Sequence, residues 1–337
     1  MLAFLVVENT ELFESRPDQA TWLEEHACAV ETLVSLAGDV STRRYFRVAR
    51  HGQGTAILAL YPETLRPACS RFLKTGELLS RVGVTVPVVL ASDCERGAML
   101  ITDAGEKTLY DFSGEPWSAL RTCFERAVAF ARRIATLPQE EVSPLSPPLD
   151  HALLLRELKQ TWDFFLLPQK LLGEESEQAQ WWQALDTLAR ELEAAAPVPC
   201  HRDFMARNLM PVEQRLGEQG SGDLWVLDHQ DLRLGPPFYD LASLLNDSLF
   251  PPDDWVEPLL AMELMGQRER LQYRRVAAQR TLKAVGTYSA FASRGMIRHL
   301  PLIAPTLSRA LGYLRQLPET EALVPGLAHR VGKRSFC

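Results

Sequence analysis

The 337-residue chain has six cysteines, at 28, 69, 94, 123, 200 and 337, and no two of them form a C-x-x-C pair. That scatter argues against a structural zinc site and against a disulfide framework. The thiols are read as buried or incidental side chains of a reducing compartment. No apolar run approaches the ~18 residues that a membrane-spanning helix needs. The leading "MLAFLVVEN" is short, lacks a basic lead and is followed by acid, so it is not read as a signal peptide either. Positive charge is also scarce. The chain has 36 Lys and Arg against 43 Asp and Glu, a net charge of -7, which weighs against a nucleic-acid backbone as partner. No internal repeat is visible. These absences predict a cytoplasmic protein with no nucleic-acid or membrane partner and no obligate protein partner.

What remains is ordinary globular material, 46% hydrophobic and 23% charged, in a chain long enough for two lobes. Residues 18–36 carry Trp22, Leu23, His26, Val30 and Leu33 at helical spacing and are read as a helix. Gly38 and Asp39 mark a turn, and Tyr45, Phe46 and Val48 suit a strand. "TAILALYP" reads as a strand apolar on both faces, and "RPACSRFLKTGELLSRVG" as a helix stopped by Gly83. "VTVPVVLAS" and "GAMLITDAG" are two further strands. Beyond Gly105 the pattern turns helical, as in "WSALRTCFERAVAFARRIATL" and "WWQALDTLARELEAA". From Tyr239 it continues as helices to Leu317, followed by a polar tail to Cys337. The expectation is an α+β chain, with a strand-rich part over 1–104 and a larger, mainly helical part over 105–337.

The stretch "CHRDFMARNLM" holds the first chemical signal. His201, Asp203 and Asn208 read H-x-D-x-x-x-x-N, and a hairpin follows with arms "NLMPVE" and "DLWVLD" around "QRLGEQGSG". The second arm ends at Asp228. Asn208 and Asp228 offer an amide oxygen and a carboxylate, the hard oxygens that magnesium takes together with phosphate and water. Asp203 is left to accept a hydrogen bond from an attacking hydroxyl, and an ordinary aspartate, pKa about 3.9, is ionised at neutral pH. Such residues also serve as plain turn and cap formers; the apolar strand, the hairpin and the second aspartate favour phosphoryl transfer. Asp240, in "GPPFYDLASLL", precedes an apolar helical run. It can cap that helix and accept backbone N–H groups from the loop.

Together, "CHRDFMARNLM", "LWVLDHQD" and "GPPFYDLASLL" resemble the aminoglycoside-phosphotransferase-like branch of the protein-kinase-like fold. "GDVSTRRYFRV", "LLSRVGVTVPVVLASDCERGAMLITDAGEKTL", "LDHALLLRELKQTWDFFL" and "QRTLKAVGTYSAF" are similar to its anomeric sugar kinases, which phosphorylate N-acetylmuramate and N-acetylglucosamine at the C1 hydroxyl. The resemblance runs over about residues 20–318. It implies a bilobal fold with a nucleotide-binding lobe over 1–104 and a catalytic and substrate-binding lobe over 105–337. It implies ATP and Mg2+ as cofactors, an amino sugar as acceptor and a role in cell-wall recycling. It makes Asp203 the catalytic base and Asn208 and Asp228 the magnesium ligands. "ITDAG" becomes the hinge, where the backbone of Ile101, Thr102, Asp103 and Ala104 meets adenine.

The sequence departs from that pattern in one respect. A kinase of this shape carries a lysine on the strand that here reads "TAILALYP", and none is present. Glu77 stands where the lysine's usual glutamate partner would be, or is a solvated helix residue. Of the arginines in "STRRYFR", Arg43 and Arg47 on one strand face and Arg44 on the other, at least one is expected to take over the phosphate contact, Arg44 first, because a guanidinium suits phosphate oxygens. Arg207 is expected either to neutralise the transferring phosphoryl group or to pair with a carboxylate such as Asp240. On the acceptor side, Asp231 is expected to face the sugar. Arg280 and Lys283, three apart on one helix face, are expected to meet a lactyl carboxylate. The acidic stretch "NDSLFPPDDWVEP", with Asp247, Asp253, Asp254 and Glu257, keeps a second reading open, a kinase of polycationic aminoglycosides. The missing lysine keeps a third, a nucleotide-binding module with little catalysis.

Overall fold

The computed structural model describes residues 17–36, 42–212, 223–263 and 266–334. The leading apolar stretch, the Gly38–Asp39 turn, the "QRLGEQGSG" turn and Cys337 lie outside the described residues. The chain divides into two compact units, Met1–Glu106 with Trp225–Gln230, and Lys107–Leu224 with Asp231–Cys337.

The first unit opens with helix α1 (Pro17–Glu25) and continues through strands β1 (Cys28–Leu36), β2 (Arg44–Arg50) and β3 (Gly54–Leu60), helix α2 (Arg66–Arg81), and strands β4 (Val89–Asp93) and β5 (Ala98–Thr102). The five strands form one antiparallel sheet in the order β1-β2-β3-β5-β4. The central strands are apolar on both faces because both faces are covered. Leu58, Leu60, Ala98 and Leu100 pack with Phe46, Val48 and the α1 residues Trp22 and Leu23. Ala59, Met99 and Ile101 pack on the other side with Cys69 and Phe72 of α2. Gly83 closes α2 in the left-handed region at φ 69, as the C-cap reading requires.

Two expectations are corrected here. The helix read over 18–36 stops at Glu25: Ala27 takes φ 61 and Cys28–Leu36 becomes the edge strand. Val30, Thr32 and Val34 are β-branched, and pairing with β2 (Ala29 with Ala49, Val34 with Arg47) overrides a helical spacing. The cysteines are not all thiols. Cys69 and Cys94, 25 residues apart in sequence, are disulfide-bonded with Cα atoms 5.5 Å apart. Helix α2 and the turn after β4 bring them together, which spacing does not reveal. Cys28, Cys123 and Cys200 are free and buried.

The second unit contains α3 (Trp117–Ile134), α4 (His151–Thr161), α5 (Glu175–Glu193), the short strands β6 (Val198–Cys200) and β7 (Leu209–Pro211), and, beyond β8 (Leu224–Val226), strand β9 (Arg233–Gly235). Helices α6 (Tyr239–Asn246), α7 (Asp253–Glu263), α8 (Gln267–Ala292), α9 (Leu300–Leu314) and α10 (Val324–Val331) complete it. The polar tail is therefore partly helical, with Val324 and Leu327 buried where it docks. The long helix α8 is central. Its Gly286 lies against α4 so closely that a Cβ would stand 2.5 Å from the Thr161 amide nitrogen. Thr161 Oγ1 donates to the Leu282 carbonyl at 2.6 Å across the same crossing. Among the described residues, no helix is long and apolar enough to cross a membrane.

Candidate active site

The loop between β6 and β7 is pinned at both ends. β6 pairs with β9, Cys200 opposite Arg233. The chain then turns at Arg202, a non-glycine residue held at φ 78. Such a conformation persists only where the surroundings impose it. The constraint comes from Asp240 in the first turn of α6. Its Oδ2 accepts the His201 N–H at 2.7 Å and its Oδ1 the Arg202 N–H at 3.0 Å. Burial pushes the Asp240 carboxyl up to about 6, against the opposing pull of His201 and the two backbone donors. His201 is wholly buried, its ring edge-on to Phe204 with centroids 5.7 Å apart. At the other end Asn208 Nδ2 donates to the Asp203 carbonyl at 2.8 Å and closes the loop on itself.

Around Asp203 stands a network of charge from four elements. Glu157 of α4 accepts from Lys283 Nζ at 3.1 Å, Arg202 Nη2 at 3.2 Å and Gln279 Nε2 at 3.0 Å. Arg202 Nη1 reaches Asp231 at 2.6 Å, and Arg233 reaches the other oxygen of Asp231 at 3.2 Å. Arg280 Nε donates to Ser243 Oγ at 3.0 Å. Burial raises the Asp203 carboxyl, but Lys283, Arg202 and Arg280 together outweigh it and hold it below the usual aspartate value. Asp203 is therefore a carboxylate at neutral pH. Burial likewise lowers the Lys283 ammonium, although Glu157 supports its charge.

In the strand-rich unit, Asp228 sits at φ 59 and receives two donors on the same oxygen. Arg43 Nη2 reaches Oδ1 at 2.6 Å and Gln230 Nε2 reaches it at 2.9 Å. His229 is anchored beside it, Nδ1 against Thr75 Oγ1 at 2.7 Å and the ring 4.1 Å from that of Phe72. Arg47 is bound to Asp103 at 2.6 Å, to Glu106 at 3.1 Å and to the Gly105 carbonyl at 2.7 Å.

The expected site residues fall into three groups. Asp203, Arg280 and Lys283 come together in the helical unit, as Lys283 and Arg280 set the charge state of Asp203. Asn208 and Asp228 each keep one oxygen outside the hydrogen bonds just described, and both are hard donors that fit a magnesium ion. Among the described residues no three His, Cys, Asp or Glu side chains are gathered for a metal, so a cation held by either residue would also need phosphate and water oxygens. The other candidates have the following surroundings. Asp231 has both oxygens on guanidinium groups rather than open to an acceptor. Arg207 lies over the Tyr110 ring, 3.7 Å from its centroid, and does not pair with Asp240. Arg44 is exposed and lies over Phe46 at 5.0 Å, and Arg47 is spent on Asp103. Ile101 and Thr102 lie within the sheet, with the Thr102 N–H given to the Val88 carbonyl at 2.9 Å. Glu77 is exposed and faces Lys74 at 3.6 Å. The acidic stretch is not one rim: Asp247 is buried and bonded to Ser248, and Glu257 pairs with Arg270 at 3.6 Å.

Sequence reasoning placed Arg43 only among three candidate arginines, and it missed Glu157 and the full part of Arg202. A buried glutamate in "LLLRELKQ" was the available signal for Glu157, since it lies on the apolar face of an amphipathic helix.

Comparison with known proteins bears on the family and the fold. The phosphotransferase enzyme family profile matches residues 32–278. An N-acetylmuramate/N-acetylglucosamine kinase of Pseudomonas aeruginosa is 33% identical over 67% of this chain and 62% of its own length. Its namesake from Pseudomonas putida is 30% identical over 88% of both chains. Among solved structures, choline kinase LicA from Streptococcus pneumoniae superposes with a TM-score of 0.56 at 15% identity, over 94% of this chain and 99% of its own. A GDP complex of aminoglycoside 2'-phosphotransferase-IIIa gives 0.59 at 12% identity, over 90% and 96%. The fold is thus the α+β protein-kinase-like fold, and the chain belongs to the phosphotransferase enzyme family.

Proposed function

We propose that the protein transfers the γ-phosphoryl group of ATP to the anomeric hydroxyl of N-acetylmuramate or N-acetylglucosamine. The observation that carries this reading is Asp203: an ionised carboxylate on a loop pinned by Asp240, ringed by Lys283, Arg202 and Arg280. The names of the relatives support the acceptor. The strand-rich unit takes the nucleotide and the helical unit takes the sugar.

In this reading Asp203 accepts the hydrogen bond of the C1 hydroxyl and aims its oxygen at the γ-phosphorus. The new O–P bond forms as the bond to the ADP leaving oxygen breaks, and the hydroxyl proton passes to Asp203. A carboxylate held below the usual range is a weak base, so the proton moves late, after O–P bond formation has acidified the oxygen. The anomeric hydroxyl is the most acidic of the ring and suits such a base. Asn208 and Asp228 would hold magnesium, which neutralises phosphate charge when bound. Arg280 and Lys283 would meet the lactyl carboxylate of the muramate sugar.

The test is ADP release with ATP and magnesium against both free sugars, their 1-O-methyl glycosides and kanamycin, beside Asp203→Asn. Turnover of the free sugars that disappears with the methyl glycosides and with Asp203→Asn is expected. Turnover of kanamycin alone would overturn the reading.

A further inference from the structure

We propose that Arg43 supplies the phosphate-binding cation that strand β3 lacks, and that it stands as the counter-ion of Asp228 until a nucleotide arrives. This rests on the phosphotransferase reading given above. β3 has no lysine, and its register explains where a replacement can sit. Arg44 pairs with Leu60, the last residue of β3, and Arg43 comes just before that pair, with its guanidinium on Asp228. The guanidinium lies 6.0 Å from the Tyr61 ring and 5.8 Å from that of Tyr45. The aromatic faces hold a cation there without neutralising it.

The second observation is how Asp228 is bound. Arg43 and Gln230 both take Oδ1, at 2.6 and 2.9 Å, and among the described residues Oδ2 accepts no hydrogen bond. Arg43 is only 11% exposed at its side chain, whereas Asp228 is 36% exposed. The arginine therefore fixes one oxygen from the buried side and leaves the other toward solvent. One residue thus orients the carboxylate and places positive charge beside it. A guanidinium matches phosphate oxygens in geometry and charge. The other candidate arginines fail on geometry: Arg44 is exposed over Phe46, and Arg47 already serves Asp103, Glu106 and Gly105.

The test is calorimetric binding of ADP to the full chain, without metal and with magnesium, for wild type, Arg43→Ala, Arg43→Lys, Arg44→Ala and Asp228→Asn. Loss of one charge-assisted phosphate contact should weaken metal-free ADP by at least about tenfold in Arg43→Ala. Arg43→Lys should recover part of it, and Arg44→Ala should match wild type. Asp228→Asn should keep metal-free binding and lose the magnesium enhancement. If magnesium strengthens wild-type binding through Asp228 while Arg43→Ala binds metal-free ADP as wild type does, the proposal is overturned and the phosphotransferase reading stands. A loss confined to Arg44→Ala overturns it equally. Failure of wild type to bind ADP at all overturns both. Should Arg43→Ala melt early, Arg43→Met against Arg43→Lys isolates the charge at similar volume.

Discussion

Asp240 reaches back 39 residues along the chain to accept the backbone N–H of His201 at 2.7 Å, and with its other oxygen takes that of Arg202 at 3.0 Å. One buried side chain thus holds the left-handed turn that presents Asp203. A loop between short strands has little stiffness of its own, so its geometry depends on this carboxylate.

Asp240 gives the protein a pH signature. Its folded value is raised to about 6, above an unfolded value of about 3.9. Between those values the folded state holds more protons, so this group's contribution to stability falls as pH rises from about 4 to about 6 and is flat above. Asp203 and Glu157, held low, act the other way: their stabilisation is present above the unfolded value and is lost as pH falls through the folded one. Asp240→Asn should remove the first component, seen in urea melts across that range. It should also lower kcat at pH 7.5, because an amide has one acceptor for two donors. An unchanged pH profile in Asp240→Asn would contradict this assignment.

Glu157→Ala should be among the most destabilising single changes. Glu157 is buried and balances Lys283 and Arg202, and removing one partner of a buried charge network costs about 3–5 kcal/mol. Glu157→Gln keeps the volume and two hydrogen-bond sites and should cost less. Equilibrium urea denaturation measures both, and equal stability of the alanine variant and wild type would refute the network's role.

Arg280→Met separates the two sugars. Arg280 is buried and, among the described residues, donates to the neutral Ser243 hydroxyl rather than to a carboxylate. If it meets the lactyl carboxylate, the variant should raise KM for N-acetylmuramate about 10- to 100-fold more than for N-acetylglucosamine, which has no carboxylate. Any effect through Asp203 touches both sugars alike, so the ratio is the readout. An unchanged ratio removes Arg280 from acceptor binding.

Gly286→Ala tests the α4–α8 crossing. The new methyl group would meet the Thr161 backbone nitrogen and hydroxyl at 2.5 Å, and backbone rather than a flexible tip must move. A loss of about 1–3 kcal/mol is expected from thermal or urea melts, with the Thr161–Leu282 hydrogen bond strained as well.

Much of the fold was legible because its signals are local. The two-faced apolar β3 and β5, the amphipathic α2 with Gly83 after it, and the helical run from Tyr239 follow from periodicity and capping. The edge strand β1 was not legible, because its spacing fits a helix until β2 is there to pair with it. The Cys69–Cys94 bridge was hidden for the same reason, since contact between a helix and a turn has no trace in spacing.

The division at the site is similar. The sequence alone determined the residue types: an Asp, an Asn and a second Asp in a kinase-like order, with a capping carboxylate at Asp240. Tertiary structure decided which cations serve them. Arg47 is paired with Asp103 and Asp231 with Arg202 and Arg233, while Arg44 and Arg207 lie over the rings of Phe46 and Tyr110. Arg43, Glu157 and Lys283 lie far from their partners in sequence and meet them only in the folded chain. A charge acts over a few ångströms in space and carries no mark in the sequence of what it will face, so motif order is readable from the chain while charge pairing is not.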